Sequence, residues 1–194
     1  MLKTKMIEMV CILDKSGSMY EKEKDTIASY NHMLEKQKER EGEAYITTAL
    51  FSDTCKILCS HAPLCQADAL TEKNYYAEGN TALFDAIGKV FCQVEQVLEQ
   101  YEKDREKKVF VFIITDGLEN ASTEYDQAKI CQLIDEKQER GWEILFLGAN
   151  RSVVRMAQMW GIKKENTIEY TNDSRGITKS YELAGRRFTR MREM

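Results

Sequence analysis

Oxygen-bearing side chains occur in three separate segments of the chain. Asp14, Ser16 and Ser18 alternate directly after an apolar run, Thr81 opens a helical segment, and Asp116 follows the most apolar run in the sequence. Two carboxylates and three hydroxyls are hard donors that suit Mg²⁺ or Mn²⁺, and the set has no histidine or cysteine to suit a softer metal. If the fold brings the three segments together, these residues predict a cation site.

Each segment also has an ordinary structural explanation. Asp, Ser and Gly are common in strand-to-helix turns, and a threonine at a helix start is a common cap. These explanations treat the segments one at a time and do not account for all three reaching one place. With only two carboxylates among five donors, a bound divalent ion would stay electron-poor, which favours an incoming carboxylate.

The hydropathy pattern predicts alternating strands and helices. Short apolar runs predict strands at 7–13, 44–51, 54–60, 108–115, 142–148 and 167–170. Amphipathic spacing predicts helices at 20–40, from 81 to about 101, at 124–140 and 152–160, and from about 174. Such alternation produces an open, mostly parallel sheet that binds ligands beyond the carboxyl ends of its strands. The oxygen-bearing segments are therefore predicted to meet at that edge.

Three motifs carry a family resemblance: D-K-S-G-S-M at 14–19, G-N-T-A-L at 79–83 and I-T-D-G at 114–117. In order, spacing and context they resemble the three parts of the metal-ion-dependent adhesion site of the von Willebrand factor type A (vWA) domain. The resemblance covers nearly the whole chain. It implies an α/β fold with a doubly wound, Rossmann-like open sheet of about six strands, mostly parallel, with 54–60 as one antiparallel edge strand. It also implies one domain over 1–194, of the small stand-alone prokaryotic or phage type.

The resemblance implies a role for each motif residue. Ser16, Ser18 and Thr81 would bind the ion directly, and Asp14 and Asp116 would bind it directly or through water. The implied ion is Mg²⁺, with Mn²⁺ or Ca²⁺ as possible substitutes, and an acidic side chain of a protein partner would complete its shell. Asn80 departs from the family pattern, which usually has a second glycine there.

The same resemblance implies a non-enzymatic protein-interaction module, of a kind that often works beside a partner ATPase. The residues that flank the motifs would then form a partner-binding rim. This predicted rim comprises Met19, Tyr20, Glu78, Asn80, Leu118, Glu119, Asn120 and Asn150, with Arg151 beside them. Some of these side chains are apolar or aromatic, as in protein-binding surfaces.

The composition of the chain bears on which partners it could bind and in which compartment it could work. The 194-residue chain is 43% hydrophobic and 31% charged with a net charge of −4, which is a poor electrostatic match for nucleic acid. No run has the length of a signal peptide core or a membrane span, so no membrane association is expected. The six cysteines are scattered over strand-like and helix-like segments, which favours reduced thiols in a cytoplasm.

Two alternatives to the metal-dependent interaction module stay open. A hydrolase or phosphotransferase could use the same crevice, because bound Mg²⁺ can act as a Lewis acid, although the motifs supply no nucleophile or general base. A scaffold could act instead through the basic amphipathic C-terminal helix at about 174–193, although an ordinary docked helix with cations near its C-terminus explains this pattern better.

One group of cysteines allows a zinc site as a further alternative. Cys55, Cys59, His61 and Cys65 form a permitted ligand set, but they lack the short C-x2-C spacing of structural zinc sites. The alternation of Cys55, Ile57 and Cys59 also fits one face of a strand.

Overall fold

A six-stranded sheet forms the centre of the molecule in the computed structural model, which describes residues 5–101 and 106–194. Its strands are β1 (Met6–Asp14), β2 (Tyr45–Phe51), β3 (Cys55–Pro63), β4 (Lys107–Thr115), β5 (Glu143–Gly148) and β6 (Thr167–Glu169). The strand order is β3-β2-β1-β4-β5-β6, and every pair is parallel except β2 with β3. The predicted fold class is confirmed.

The chain reverses its winding direction between β1 and β4. From β1 it runs outward through β2 and β3, and it then returns to the other side of β1 to build β4, β5 and β6. Helices on opposite faces diverge at such a reversal and leave a crevice beyond the carboxyl ends of the two strands. Asp14 ends β1 and Asp116 follows β4, so this topology places both carboxylates at the crevice.

Within the described ranges, five α-helices cover the two faces of the sheet. They are α1 (Glu23–Lys38), α2 (Leu83–Glu99), α3 (Gln127–Glu139), α4 (Arg151–Met159) and α5 (Ser174–Glu193). One core packs α1 and α5 against the face of β1 that carries Cys11 and Leu13. The other packs α2, α3 and α4 against the face that carries Val10 and Ile12. Every residue of β1 is buried, because alternate side chains along a strand enter opposite faces.

The edge strand β3 differs from the prediction in which face its side chains occupy. It is antiparallel as predicted, but a register shift opposite Thr48 and Ala49 adds a residue at Leu58. Such a bulge turns the following side chains to the other face. Cys55 and Ile57 therefore pack against the α2 side of the sheet and Cys59 against the α1 side, so the predicted common face is wrong.

The zinc alternative is also wrong for the part of the chain that the structure describes. Within it, no group of three or more His, Cys, Asp or Glu side chains could hold a metal ion. Nor does any helix in these ranges have the length and apolarity to cross a membrane.

Two glycines of α5 give a matched test of the packing. A Cβ at Gly176 would lie 1.8 Å from the Thr171 carbonyl oxygen, whereas one at Gly185 would lie 3.1 Å from the flexible Met33 Cγ. Alanine is favoured over glycine in helices by about 1 kcal/mol. We expect the backbone clash to override this gain in Gly176→Ala, which should lower the free energy of unfolding by about 2–3 kcal/mol. Gly185→Ala should change it by less than about 1 kcal/mol.

Urea unfolding of the two variants measures both values. Equal stability of the two variants would contradict this account of how α5 begins against Thr171.

Candidate metal centre

The carboxylate of Asp14 is fixed between β1 and β4. Its Oδ1 accepts a hydrogen bond from the Ser16 amide at 2.6 Å, and its Oδ2 accepts one from the Thr115 hydroxyl at 2.5 Å. Its carbonyl oxygen accepts one from the Tyr75 hydroxyl at 2.6 Å. The bonds from Ser16 and Thr115 orient the carboxylate, and the bond from Tyr75 holds the backbone of the same residue.

Burial makes the charge of Asp14 costly. The residue is 0% exposed, and desolvation raises the pKa of its carboxyl from 3.8 to about 6, although hydrogen bonds from Ser16 and Thr115 act in the opposite direction. The nearby negative charge of Asp116 also raises this pKa. A cation bound beside the carboxylate would offset the cost, since an opposite charge favours the ionised form.

Two serine hydroxyls link Asp14 to Asp116. After β1 the chain turns through a short 3-10 helix at Gly17–Met19, which leaves Ser16 Oγ and Ser18 Oγ 3.1 Å apart. Ser18 Oγ donates a hydrogen bond to Asp116 Oδ1. The first and third motifs are therefore in direct contact.

The second motif approaches the same place through close backbone contacts. Gly79 has φ +67°, a conformation that favours glycine, and a Cβ on it would lie 2.0 Å from the Asp53 carboxylate. Asn80 donates to Asp53 Oδ1 from its backbone amide at 3.0 Å and from its side chain at 2.8 Å. Asn80, which departs from the family pattern, thus anchors this loop to the end of the β2–β3 hairpin.

Thr81 lies against the third motif. Its backbone amide donates to Asn120 Oδ1 at 2.9 Å, and its carbonyl accepts from the Asn120 amide at 3.1 Å. A Cβ on Gly117 would lie 2.9 Å from Thr81 Oγ1 and 3.7 Å from Ser18 Oγ. Only glycine allows the hydroxyls to approach this closely. All five predicted ligand residues are thus brought together, while their role as metal ligands stays a prediction.

Lys22 and Asn172 belong to the cluster although no motif indicated them. The Lys22 ammonium donates to Asp116 Oδ2 at 2.9 Å and to the Ser18 carbonyl at 2.5 Å. Asn172, just before α5, donates its side-chain amide to the same Asp116 oxygen at 3.2 Å. The Lys22 ammonium thus places a positive charge against the Asp116 carboxylate, where a metal ion would also lie.

The donor set fits a hard divalent ion. It offers two carboxylates and three hydroxyls from three segments, and within the described ranges no thiol or imidazole joins them to make a softer site. Oxygen-only sets with few charges suit Mg²⁺, which keeps some of its water ligands. The residues present therefore fit the implied metal.

The predicted rim divides into exposed and inward-facing residues. Tyr20 and Leu118 are 69% and 46% exposed, whereas Met19 is only 1% exposed. Glu119 turns inward, where its carboxylate accepts hydrogen bonds from the backbone amides of Phe84, Ala121 and Ser122. Two of the three rim asparagines, Asn120 and Asn150, are exposed but still bond to the nearby backbone: Asn120 Oδ1 accepts from the Thr81 amide, and Asn150 Oδ1 accepts from the Val153 amide at 3.1 Å. Glu78 and Asn80 are exposed. A partner-binding role for the rim stays a prediction.

Comparisons with known proteins agree with this fold. No protein-family model matches the chain, and no curated protein matches it by sequence. One similar structure is that of proximal thread matrix protein 1 from the mussel byssus, described as having a zinc-occupied MIDAS motif (the metal-ion-dependent adhesion site). It aligns with a TM-score of 0.67 at 15% identity, over 93% of this chain and 47% of its own. The von Willebrand factor type A protein from Catenulispora acidiphila gives 0.61 at 13% identity, over 93% of this chain and 42% of its own.

A third match has nearly the same length as this chain. It is the vWF domain of the type V pili tip protein Mfa5 from Porphyromonas gingivalis, with a TM-score of 0.68 at 11% identity over 97% of each chain. The chain has a vWA-like fold. It spans less than half of the mussel and Catenulispora chains, so the likeness concerns only part of each.

The raised pKa of Asp14 predicts how the metal-free vWA-like fold responds to pH. The folded state holds the proton more tightly, with a pKa of about 6 against 3.8. Wild-type protein should therefore lose stability as pH rises through this window, by about 3 kcal/mol in all above it. Asp14→Asn keeps the shape without the charge, so in EDTA it should be more stable than wild type at about pH 8 and equal to it at about pH 4.

Urea unfolding in EDTA measures this difference, and added Mg²⁺ provides the control. Mg²⁺ should stabilise wild type and leave Asp14→Asn unchanged, because ligand binding to the folded state alone raises its stability. A variant that is less stable than wild type in EDTA at about pH 8 would contradict the prediction.

The position of Lys22 predicts an effect on metal affinity. Lys22→Met removes a positive charge from Asp116, so a divalent ion would meet less repulsion. We expect Mg²⁺ to bind about fivefold more tightly at low salt, with a smaller gain at high salt because of screening. Lys24→Met, an exposed site in the first turn of α1, is the matched control. Equal effects of the two variants in calorimetric titrations would refute a specific role for Lys22.

Proposed function

We propose that this chain is a non-enzymatic, Mg²⁺-dependent protein-interaction module. Ser16, Ser18 and Thr81 would hold the ion directly, with Asp14 and Asp116 as the charged pair, and a partner's Asp or Glu would complete the shell. One observation carries the proposal: the five side chains converge at the reversal between β1 and β4. The vWA-like neighbours, one of them with a metal-occupied MIDAS motif, support it at the level of fold.

The formal charges of the cluster support an acidic partner. Asp14, Asp116 and Lys22 together give −1, which would repel a carboxylate. A divalent ion changes the sum to +1, which would attract one. Only the ion-loaded site is then suited to an acidic side chain.

The positions of potential catalytic groups favour binding over catalysis. The two histidines are the usual candidates for a general base near neutral pH. His61 contacts Glu8 Oε2 at 2.6 Å, and Glu8 lies about 20 Å along β1 from Asp14. His32 lies on α1 about 15 Å along the helix from Lys22. Neither supports the hydrolase or phosphotransferase alternative.

The proposal includes a cytoplasmic location and a partner complex linked to an ATPase. All six cysteines are free thiols, which supports a reducing compartment such as the cytoplasm. An association with an ATPase-linked complex stays a prediction that rests on the family resemblance alone.

A random-peptide library tests the proposal directly. Peptides captured by the immobilised protein in Mg²⁺ and released by EDTA should be enriched in Asp or Glu, and Asp116→Ala should reduce their capture at least tenfold because it removes one of two metal-binding carboxylates. Asp68→Ala, which alters an exposed carboxylate elsewhere, should capture them normally. Recovery of the same peptides by Asp116→Ala, or release without acidic enrichment, would overturn the proposed function.

A further inference from the structure

Three exposed apolar side chains lie in the loops that form the candidate metal centre. Tyr20, Tyr76 and Leu118 are 69%, 47% and 46% exposed, and they are three of the five large exposed hydrophobics in the described part of the chain. Each comes from a different segment beside a predicted ligand or its backbone. We call these three residues the apolar ring. Surface aromatic and aliphatic side chains concentrated at one place indicate an interaction surface.

The backbone holds Tyr20 outward at an energetic cost. The chain buries Met19, exposes Tyr20, and then passes through Glu21 in a left-handed conformation with φ +67°. A non-glycine residue in that conformation is strained, and such strain clusters at functional sites. The Lys22 amide donates to the Met19 carbonyl at 3.0 Å and closes this turn. The exposed position of Tyr20 is thus fixed by its neighbours on both sides.

Tyr76 is held by a lysine that is itself almost buried. The Lys15 ammonium lies 4.5 Å from the centroid of the Tyr76 ring and pairs with Glu78. The Glu78 amide donates to the Lys15 carbonyl at 2.8 Å, which ties this segment to the loop after β1. A cation above one face of the ring restrains it and leaves the rest of its surface open.

Leu118 extends from a loop that is pinned on both sides. Gly117 before it packs against the Thr81 hydroxyl, and the Glu119 carboxylate after it accepts hydrogen bonds from three backbone amides. The carboxylate of Glu119 therefore serves as a clamp that orients its neighbour. Side chains fixed in place before binding lose little entropy when a partner arrives.

We infer that the partner offers an acidic residue with an apolar residue on each side of it. This inference rests on the proposed function, because the acidic residue would approach the ion-loaded site with its +1 charge while its neighbours contact the apolar ring. An acidic residue between polar neighbours would leave the ring uncovered and lose that contact area. The metal centre alone would bind any accessible carboxylate equally well. The apolar ring would favour those carboxylates that have apolar neighbours.

Matched synthetic peptides test the inference. Their cores are Trp-Asp-Leu, Ser-Asp-Ser and Trp-Asn-Leu in one common flanking sequence, and their affinities are measured by fluorescence polarisation in Mg²⁺ and in EDTA. We expect Trp-Asp-Leu to bind at least tenfold more tightly than Ser-Asp-Ser in Mg²⁺, and Trp-Asn-Leu not to bind. Tyr20→Ser, Tyr76→Ser and Leu118→Ser should each weaken Trp-Asp-Leu binding about tenfold. Met159→Ser, at an exposed methionine of α4, should not.

The other outcomes overturn either the apolar ring alone or the proposed function with it. Equal, Mg²⁺-dependent binding of the two Asp peptides would overturn the apolar ring and leave the proposed function standing. Binding that ignores EDTA, or that accepts Trp-Asn-Leu equally, would overturn both, as would no binding of either Asp peptide. Unchanged Mg²⁺ affinity in the three ring variants shows that they fold and that their loss is specific to the partner. A loss of Mg²⁺ affinity equal to the loss of peptide affinity would overturn the separate role of the ring.

Discussion

Asp14 and Asp116 lie at the carboxyl ends of two adjacent parallel strands, and the free energy of keeping two like charges there constrains everything around them. Asp14 is buried, and its ionised form is disfavoured by desolvation. The structure reduces the cost with hydrogen bonds from Ser16 and Thr115 to one carboxylate and with the Lys22 ammonium on the other. Positive charge is thus supplied to Asp116 but not to Asp14, which leaves the pair incompletely neutralised.

The loops around these carboxylates are rigid for reasons that lie outside the three motifs. Asp53 holds the turn at Asn80, Asn120 holds the backbone of Thr81, and Glu119 ties the segment after β4 to the start of α2. Each contact joins loops that are distant in sequence. A divalent ion needs its oxygen donors in a fixed arrangement, because flexible donors would lose entropy on binding. The anchoring residues therefore belong to the chemistry of the site as much as the five motif residues do.

Much of this arrangement could be predicted from the sequence because it depends on local patterns. Apolar runs located all six strands to within a few residues, and the motifs named side chains that the fold brings together. The bulge in β3 was missed because nothing in the alternation of Cys55, Ile57 and Cys59 encodes an extra residue. Lys22 and Asn172 were missed for a different reason: their contacts with Asp116 span 94 and 56 residues. Neither contact has a local signature.

Met19 is buried and Tyr20 is exposed in the turn after β1, and stability alone does not account for this difference. Burying Met19 contributes to the core, and exposing Tyr20 contributes nothing to it. A turn with the opposite arrangement would bury the larger aromatic surface, so stability alone does not explain the observed choice. The left-handed Glu21 adds a further cost to the same turn. A turn that accepts strain in order to present an aromatic ring beside two charged carboxylates is best explained by an interaction made outside the chain.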